Sequence, residues 1–270
     1  MIAKKGRSFV KQGLLFDSHC HYDDAKFDED RDSVLRSLNE NGVGYAVDVG
    51  CSFRSIPQAM DLAEKYDFIF FTAGLHPCDT KDAEDNGENE TLDYLRSVLS
   101  HEKCVAIGEI GLDYYWDDVP RDIQKKWFRL QLDLARETGM PVVIHDRDAH
   151  GDTMEILREY KGVSGILHSF SGSPEMAAEL IKNGWYISFS GVLTFKNAAR
   201  LPEVAKMVPT DRMLIETDCP YLAPHPMRGK RNDSTLMRYT AEKLAEIKGL
   251  SYEQIVKITE ENAFCVYRLG

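Results

Sequence analysis

Two histidines one residue apart, His19 and His21, follow the apolar run Leu14-Leu15-Phe16 in the stretch FDSHCHYDD. In a strand, side chains two residues apart point the same way, so both imidazoles face one side and can chelate one divalent cation. Related residues close other short apolar runs. His76 follows FIFFTAGL (68–75), Glu109 lies in CVAIGEIGL (104–112), His145 ends PVVIH (141–145), His168 lies in VSGILHSF (163–170) and Asp218 ends RMLIETD (212–218). Imidazole and carboxylate donors suit metal sites left open to water, as catalytic sites are. By ligand type, His19, His21 and Asp218 form one metal group and His145 and His168 a second, with Glu109 bridging them. Five of the eight histidines thus fall at run ends, a clustering that core packing does not account for. His101, His150 and His225 read as bystanders.

Residues so far apart in sequence need a scaffold that brings run ends together. With LLFDS (14–18), YAVDVG (45–50) and GWYISFS (184–190) there are eight apolar runs, separated by segments of helical period. Asp32–Gly42 is an example: Val34, Leu35 and Leu38 share a face, and Gly42 supplies a stop. Strand and helix alternating eight times imply a parallel sheet covered by helices. Over this length the reading is α/β, a (β/α)8 TIM barrel with room for distortion, whose strand carboxyl ends meet at one mouth. A doubly wound sheet would place a glycine-rich turn after its first strand, where SHCHYDD stands instead.

The barrel is expected as a single domain over residues 14–270, after an N-terminal extension at 1–13. Extra C-terminal helices fill Asn232–Arg268, split near Gly249-Leu250-Ser251, where Ser251 and Gln254 have the spacing of a capping box. Cys78–Thr91, polar and acidic, reads as a long exposed loop.

Composition sets the class. With 43% hydrophobic and 29% charged residues the chain can bury a sizeable core. A net charge of −11 argues against a broad basic surface gripping duplex nucleic acid. Six cysteines without a C-x-x-C pair read as reduced thiols. The absence of an apolar leader or of a membrane-length apolar run makes a cytoplasmic protein the expectation.

The motifs SHCH (18–21), GLHP (74–77), GEIGLDYYW (108–116), IHDRDA (144–149), LHSFSG (167–172), ETDCPYLAP (216–224) and RGKRND (228–233) together resemble the TatD-type metal-dependent deoxyribonucleases, a branch of the amidohydrolase superfamily. The resemblance runs from about Leu15 to near the C-terminus. It implies a distorted barrel with a divalent-metal centre that hydrolyses DNA phosphodiesters, often 3′→5′ on single strands. The family's ligand pattern falls on His19, His21, Glu109, His145, His168 and Asp218, and the histidine pair marks the fuller, binuclear type. The chain departs from the family at Cys78, where a second histidine is common, and at Ser234, where proline often follows the acid.

The expected chemistry is a water activated by two divalent ions (Zn, Mg, Mn or similar), with Asp218 as ligand and proton acceptor and Glu109 between the ions. Candidate substrate contacts are His76, Arg147 on the His145 strand face, and Arg228, Lys230 and Arg231 after the last strand. Tyr114, Tyr115, Trp116 and Phe170 are candidates for stacking on unpaired bases. Asp17, on the expected face of the histidine pair, is a candidate partner behind the ligands. The expected partner is DNA, chiefly single-stranded ends, with no membrane and no obligate protein partner. The alternative is an amidohydrolase-superfamily hydrolase of another ester, amide or lactone. Glu109, standing where many amidohydrolases carry a modified lysine, favours the nuclease. A non-catalytic metal protein is disfavoured, because open N/O sites make poor structural staples.

Overall fold

A computed structural model describes residues 13–116, 118–198 and 200–269. Residues 1–12 of the expected N-terminal extension lie outside the described residues. Gly13, its last residue, donates its N–H to Glu260 Oε2 at 2.9 Å.

All eight apolar runs are strands: β1 Leu15–Cys20, β2 Val43–Gly50, β3 Ile69–Ala73, β4 Cys104–Asp113, β5 Val142–Arg147, β6 Gly165–Leu167, β7 Tyr186–Phe189 and β8 Met213–Ile215. They form one parallel sheet in sequence order, from β1 to β8. The seam between β8 and β1 is joined by Asp218 N–H to His19 O (2.9 Å), His21 N–H to Cys219 O (2.8 Å) and Ser18 Oγ to Ile215 O (3.0 Å). The result is a (β/α)8 barrel with a distorted closure, and the residues that close it include three of the expected metal ligands.

Among the described residues ten α-helices surround the barrel: α1 Arg31–Ser37, α2 Ser55–Lys65, α3 Thr80–Asn86, α4 Glu88–Leu99, α5 Arg121–Thr138, α6 His150–Glu159, α7 Pro174–Lys182, α8 Leu201–Met207, α9 Met237–Lys248 and α10 Tyr252–Val266. None is long and apolar enough to cross a membrane. The expected Asp32–Gly42 helix is broken into α1 and a 3-10 turn at Asn39–Asn41, with Gly42 (φ 84°) ending it. The expected capping box is present on α10: Gln254 N–H donates to Ser251 Oγ and Ser251 N–H to Gln254 Oε1.

The barrel interior below the mouth is filled by inward side chains such as Phe16, Tyr45, Val47, Phe70, Val143 and Leu214. The C-terminal end of the chain plugs it from beneath. Phe264 packs edge-on to Tyr45 (5.3 Å between ring centroids), Tyr267 stacks on Phe16 (6.2 Å), and Tyr267 Oη donates to Ser18 O at 2.7 Å. The strand ends at the mouth therefore rest on a packed floor, and interiors so packed resist displacement.

Cys78–Thr91 is not the loop its composition suggested. A 3-10 turn at Pro77–Asp79 leads into α3, and Gly87 (φ 100°) joins α3 to α4. Thr80 and Ala83 are buried, Ala83 in a cluster with Leu75 and Trp127, while Glu84 reaches Lys126 Nζ and Trp127 Nε1 at 2.9 Å each. Only small residues face inward, so an amphipathic helix carried no apolar signature. Among the described residues the six cysteines form no disulfide.

Candidate metal centre

His19 and His21 both point into the mouth, but not by simple alternation. Phe16 and Ser18 already face the barrel interior, Ser18 Oγ lying 3.2 Å from Ser188 Oγ, and the β1–β2 register shifts between Asp17 and Cys20. Two consecutive residues, Ser18 and His19, thus turn inward. Asp17 is left on the other side, where it accepts from Thr217 N–H (3.0 Å), Thr217 Oγ1 (2.6 Å) and Ser234 Oγ (2.6 Å). This corrects the expectation that Asp17 backs the imidazoles: it braces the backbone beside Asp218. Ser234 at the position where proline is common supplies one of those bonds.

The Nε2 atoms of His19 and His21 are 3.1 Å apart, and each lies close to Asp218 Oδ1, at 3.7 and 3.5 Å. Glu109 Oε2 is 3.6 Å from the first and 4.0 Å from the second. The other oxygen, Glu109 Oε1, lies 2.6 Å from His168 Nε2 and 2.7 Å from His145 Nδ1, which are themselves 3.4 Å apart. One carboxylate therefore addresses two histidine pairs, one with each oxygen. Two imidazole nitrogens facing each other at 3.1 Å can share at most one proton, so such convergence of N and O donors fits cations between them.

Outer partners fix which nitrogen faces inward. Asp113 Oδ2 lies 2.9 Å from His145 Nε2, and Glu216 Oε1 lies 3.2 Å from His168 Nδ1 while accepting Ser169 N–H at 2.7 Å. A carboxylate on the outer nitrogen keeps the N–H there and leaves the inner lone pair for a metal. Neither Asp113 nor Glu216 was singled out from sequence, although each stands at a strand end. Gly111 (φ 142°) has a related task, since a Cβ there would come within 2.0 Å of His145 O. Asp218 sits in the left-handed region (φ 57°), held by its N–H bond to His19 O.

The electrostatics follow from burial and these pairings. Burial alone would raise the carboxyl pKa of Glu109, but His168 and His145 hold it well below the usual range. Asp218 is likewise lowered, burial being outweighed by His21, His168 and His19. Burial opposes a charge on His21, yet Asp218, Asp23 and Glu109 carry its pKa up to about 10. His76 goes the other way, to about 3, through burial and the nearby His145. It is neutral at ordinary pH. Its Nδ1 accepts Cys78 N–H at 3.2 Å, which leaves the proton on Nε2.

The centre lies in a cleft of about 950 Å3. Of the expected substrate contacts, His76 and Arg147 line it, with His76 4.4 Å from His145 between ring centroids and Arg147 3.8 Å above the Tyr115 ring. Arg228, Lys230 and Arg231 do not line the cleft. Arg228 covers Phe195, and Arg231 is bound by two nitrogens to Asp30 at 2.8 and 2.7 Å. Of the expected aromatic residues, Trp116 lines the cleft half-exposed and Phe170 lines it almost buried, whereas Tyr114 is packed between Arg121 and Asp152. Arg200 and Tyr221 also line it, and neither was foreseen because both sit in irregular segments. His101 is set against Glu64 and His150 against Asp146.

The chain is similar to known metal-dependent hydrolases. The family model described as TatD related DNase matches residues 16–268. The chain is 46% identical over 259 residues to the metal-dependent hydrolase YabD of Bacillus subtilis (strain 168), covering 95% of this chain and 100% of that one. It is 31% identical over 263 residues to a protein named 3'-5' ssDNA/RNA exonuclease TatD from Citrobacter koseri, covering 95% and 100%. Among solved structures, YJJV, a TatD homologue from Escherichia coli K12, superposes with a TM-score of 0.87 at 26% identity, covering 94% and 98%.

Proposed function

The chain belongs to the TatD-related DNase family and is a metal-dependent hydrolase, and from that premise we propose that it cleaves DNA phosphodiesters at single-stranded ends, 3′→5′, with two divalent ions. The observation that carries the reading is Glu109, whose two oxygens face two separate histidine pairs. His19, His21 and Asp218 would hold one ion and His145 and His168 the other. When bound, such a pair of cations activates water and neutralises charge on phosphoryl oxygens. The exonuclease named among the relatives supports the substrate class.

The chain's own groups divide the remaining work. Asp218, kept ionised at neutral pH, is the acceptor for the proton lost by the attacking water. Neutral His76 offers its Nε2–H to a phosphoryl or leaving oxygen. Arg147, lining the cleft beside His145, pairs with a phosphate of the strand. Asp113 and Glu216 keep His145 and His168 in the tautomers that present lone pairs inward.

The test is Asp218→Asn, assayed on labelled single strands with metal content and fold measured alongside. With metal supplied at a concentration that saturates the variant and the fold unchanged, turnover reduced by about 10²-fold or more is expected for loss of a general base. Turnover within a fewfold of the parent would sink the role of Asp218.

A further inference from the structure

Among the described residues four large apolar side chains are strongly exposed: Tyr115 (54%), Trp116 (50%), Tyr221 (45%) and Met207 (39%). The three aromatic ones stand at the mouth of the cleft, where Trp116 and Tyr221 line it and Tyr115 packs edge-on to Trp116. Trp116 follows β4 and Tyr221 follows β8, strands four apart in a ring of eight and so on opposite sides of the barrel. Each side of the centre carries a cation with its ring. Arg147 lies 3.8 Å from the Tyr115 centroid and 5.8 Å from that of Trp116, and Lys26 Nζ lies 4.0 Å from that of Tyr221.

We infer that Trp116 and Tyr221 are two base-stacking platforms that grip an unpaired strand on both sides of the scissile phosphate, each beside a cation for the adjoining phosphate. The inference rests on the nuclease reading and adds where the strand is held. The Tyr221 ring is anchored through its hydroxyl, which donates to Asp24 Oδ2 at 2.7 Å, and every unpaired base offers a π-face to an exposed ring. Stacking matters more here because the surroundings oppose a grip built on phosphates alone: the chain has a net charge of −11, and Asp24 and Asp79 line the same cleft. Duplex DNA hides its base faces and carries two lines of phosphate, so both terms favour single strands. Hydrolysis then acts on a bond flanked by two held nucleotides.

Trp116 also reports on its own occupancy. The other two tryptophans, Trp127 and Trp185, are buried at 0% and 3% exposure, so a ligand at the mouth acts mainly on the emission of Trp116. The full-length, metal-loaded protein is titrated with a short phosphorothioate single strand, the same strand lacking bases, and the duplex. The base-bearing single strand should quench emission, and at equal concentration the other two should quench far less. In cleavage assays on ordinary strands, Trp116→Ala and Tyr221→Ala should each raise KM by about 5- to 100-fold, with kcat little changed. Neither should weaken cleavage of a strand abasic on the matching side, and Trp116→Phe and Tyr221→Phe should restore most of the loss. Normal cleavage of base-bearing strands by both alanine variants, or equal losses on abasic strands, overturns the platforms and leaves the nuclease reading standing. A wild-type protein that cleaves nothing yet shows base-dependent quenching overturns the nuclease reading and keeps the platforms.

Discussion

Asp113 Oδ2 lies 2.9 Å from His145 Nε2, while Asp113 Oδ1 accepts the backbone N–H groups of Tyr115 and Trp116 at 2.9 and 3.2 Å. A single carboxylate thus orients a candidate metal ligand and shapes the aromatic turn at the rim of the cleft.

Asp113→Asn keeps an acceptor oxygen for the turn but removes the charge facing His145. Metal affinity should fall by about 10- to 100-fold, measured by competition with a chelator, with little change in the far-UV circular dichroism spectrum. Unchanged affinity would show that His145 needs no partner to hold its orientation.

Metal and protons compete for the same nitrogens. Burial opposes a charge on His21, but Asp218, Asp23 and Glu109 push its pKa up from 6.5 to about 10, so a proton on its imidazole competes with a cation for the same nitrogen. Calorimetric titration of stripped protein at pH 8, in buffers of different ionisation enthalpy, should show about one proton or more released. The same shift fixes a sign for stability. The contribution of His21 is fully present below pH 6.5 and is lost as pH rises through about 10, so the stripped protein should lose thermal stability across that window. Metal uptake without proton release would contradict this account of the site.

Arginines that looked alike in sequence should separate on mutation. Arg147 lines the cleft, whereas Arg231 is bound to Asp30 outside it. Arg147→Ala should raise KM on single-stranded DNA by roughly tenfold or more, the worth of a charge-assisted contact. Arg231→Ala should leave KM within about twofold, as expected of an exposed ion pair remote from substrate. Equal effects would mean that the strand follows a path beyond the cleft.

The contrast shows what a sequence can disclose. Barrel strands announce themselves as apolar runs, and a histidine or carboxylate closing such a run stands out because apolar strands otherwise exclude it, so the eight strands and the six clustered donors were readable. Asp113 and Glu216 also stand at strand ends, but in GEIGLDYYW and ETDCP they share those ends with Glu109 and Asp218, and nothing in the sequence separates partner from ligand. Asp17 faces away from the histidine pair because the inward turn of both Ser18 and His19 breaks the two-residue alternation of the strand. Arg200 and Tyr221 come from irregular segments after β7 and β8, where no period tells a side chain's direction. Helix α3 was hidden because Thr80 and Ala83 are too small to mark a buried face.

The central claim is a two-metal phosphodiesterase built around Glu109. Its most direct test is to titrate metal-stripped protein with Mg²⁺, Mn²⁺ or Zn²⁺ while following cleavage of single strands labelled at the 3′ or the 5′ end. The account predicts that cleavage rises until two equivalents are bound and that label leaves first from the 3′ end. No cleavage with any of the three metals, in protein shown to hold two equivalents, would contradict it.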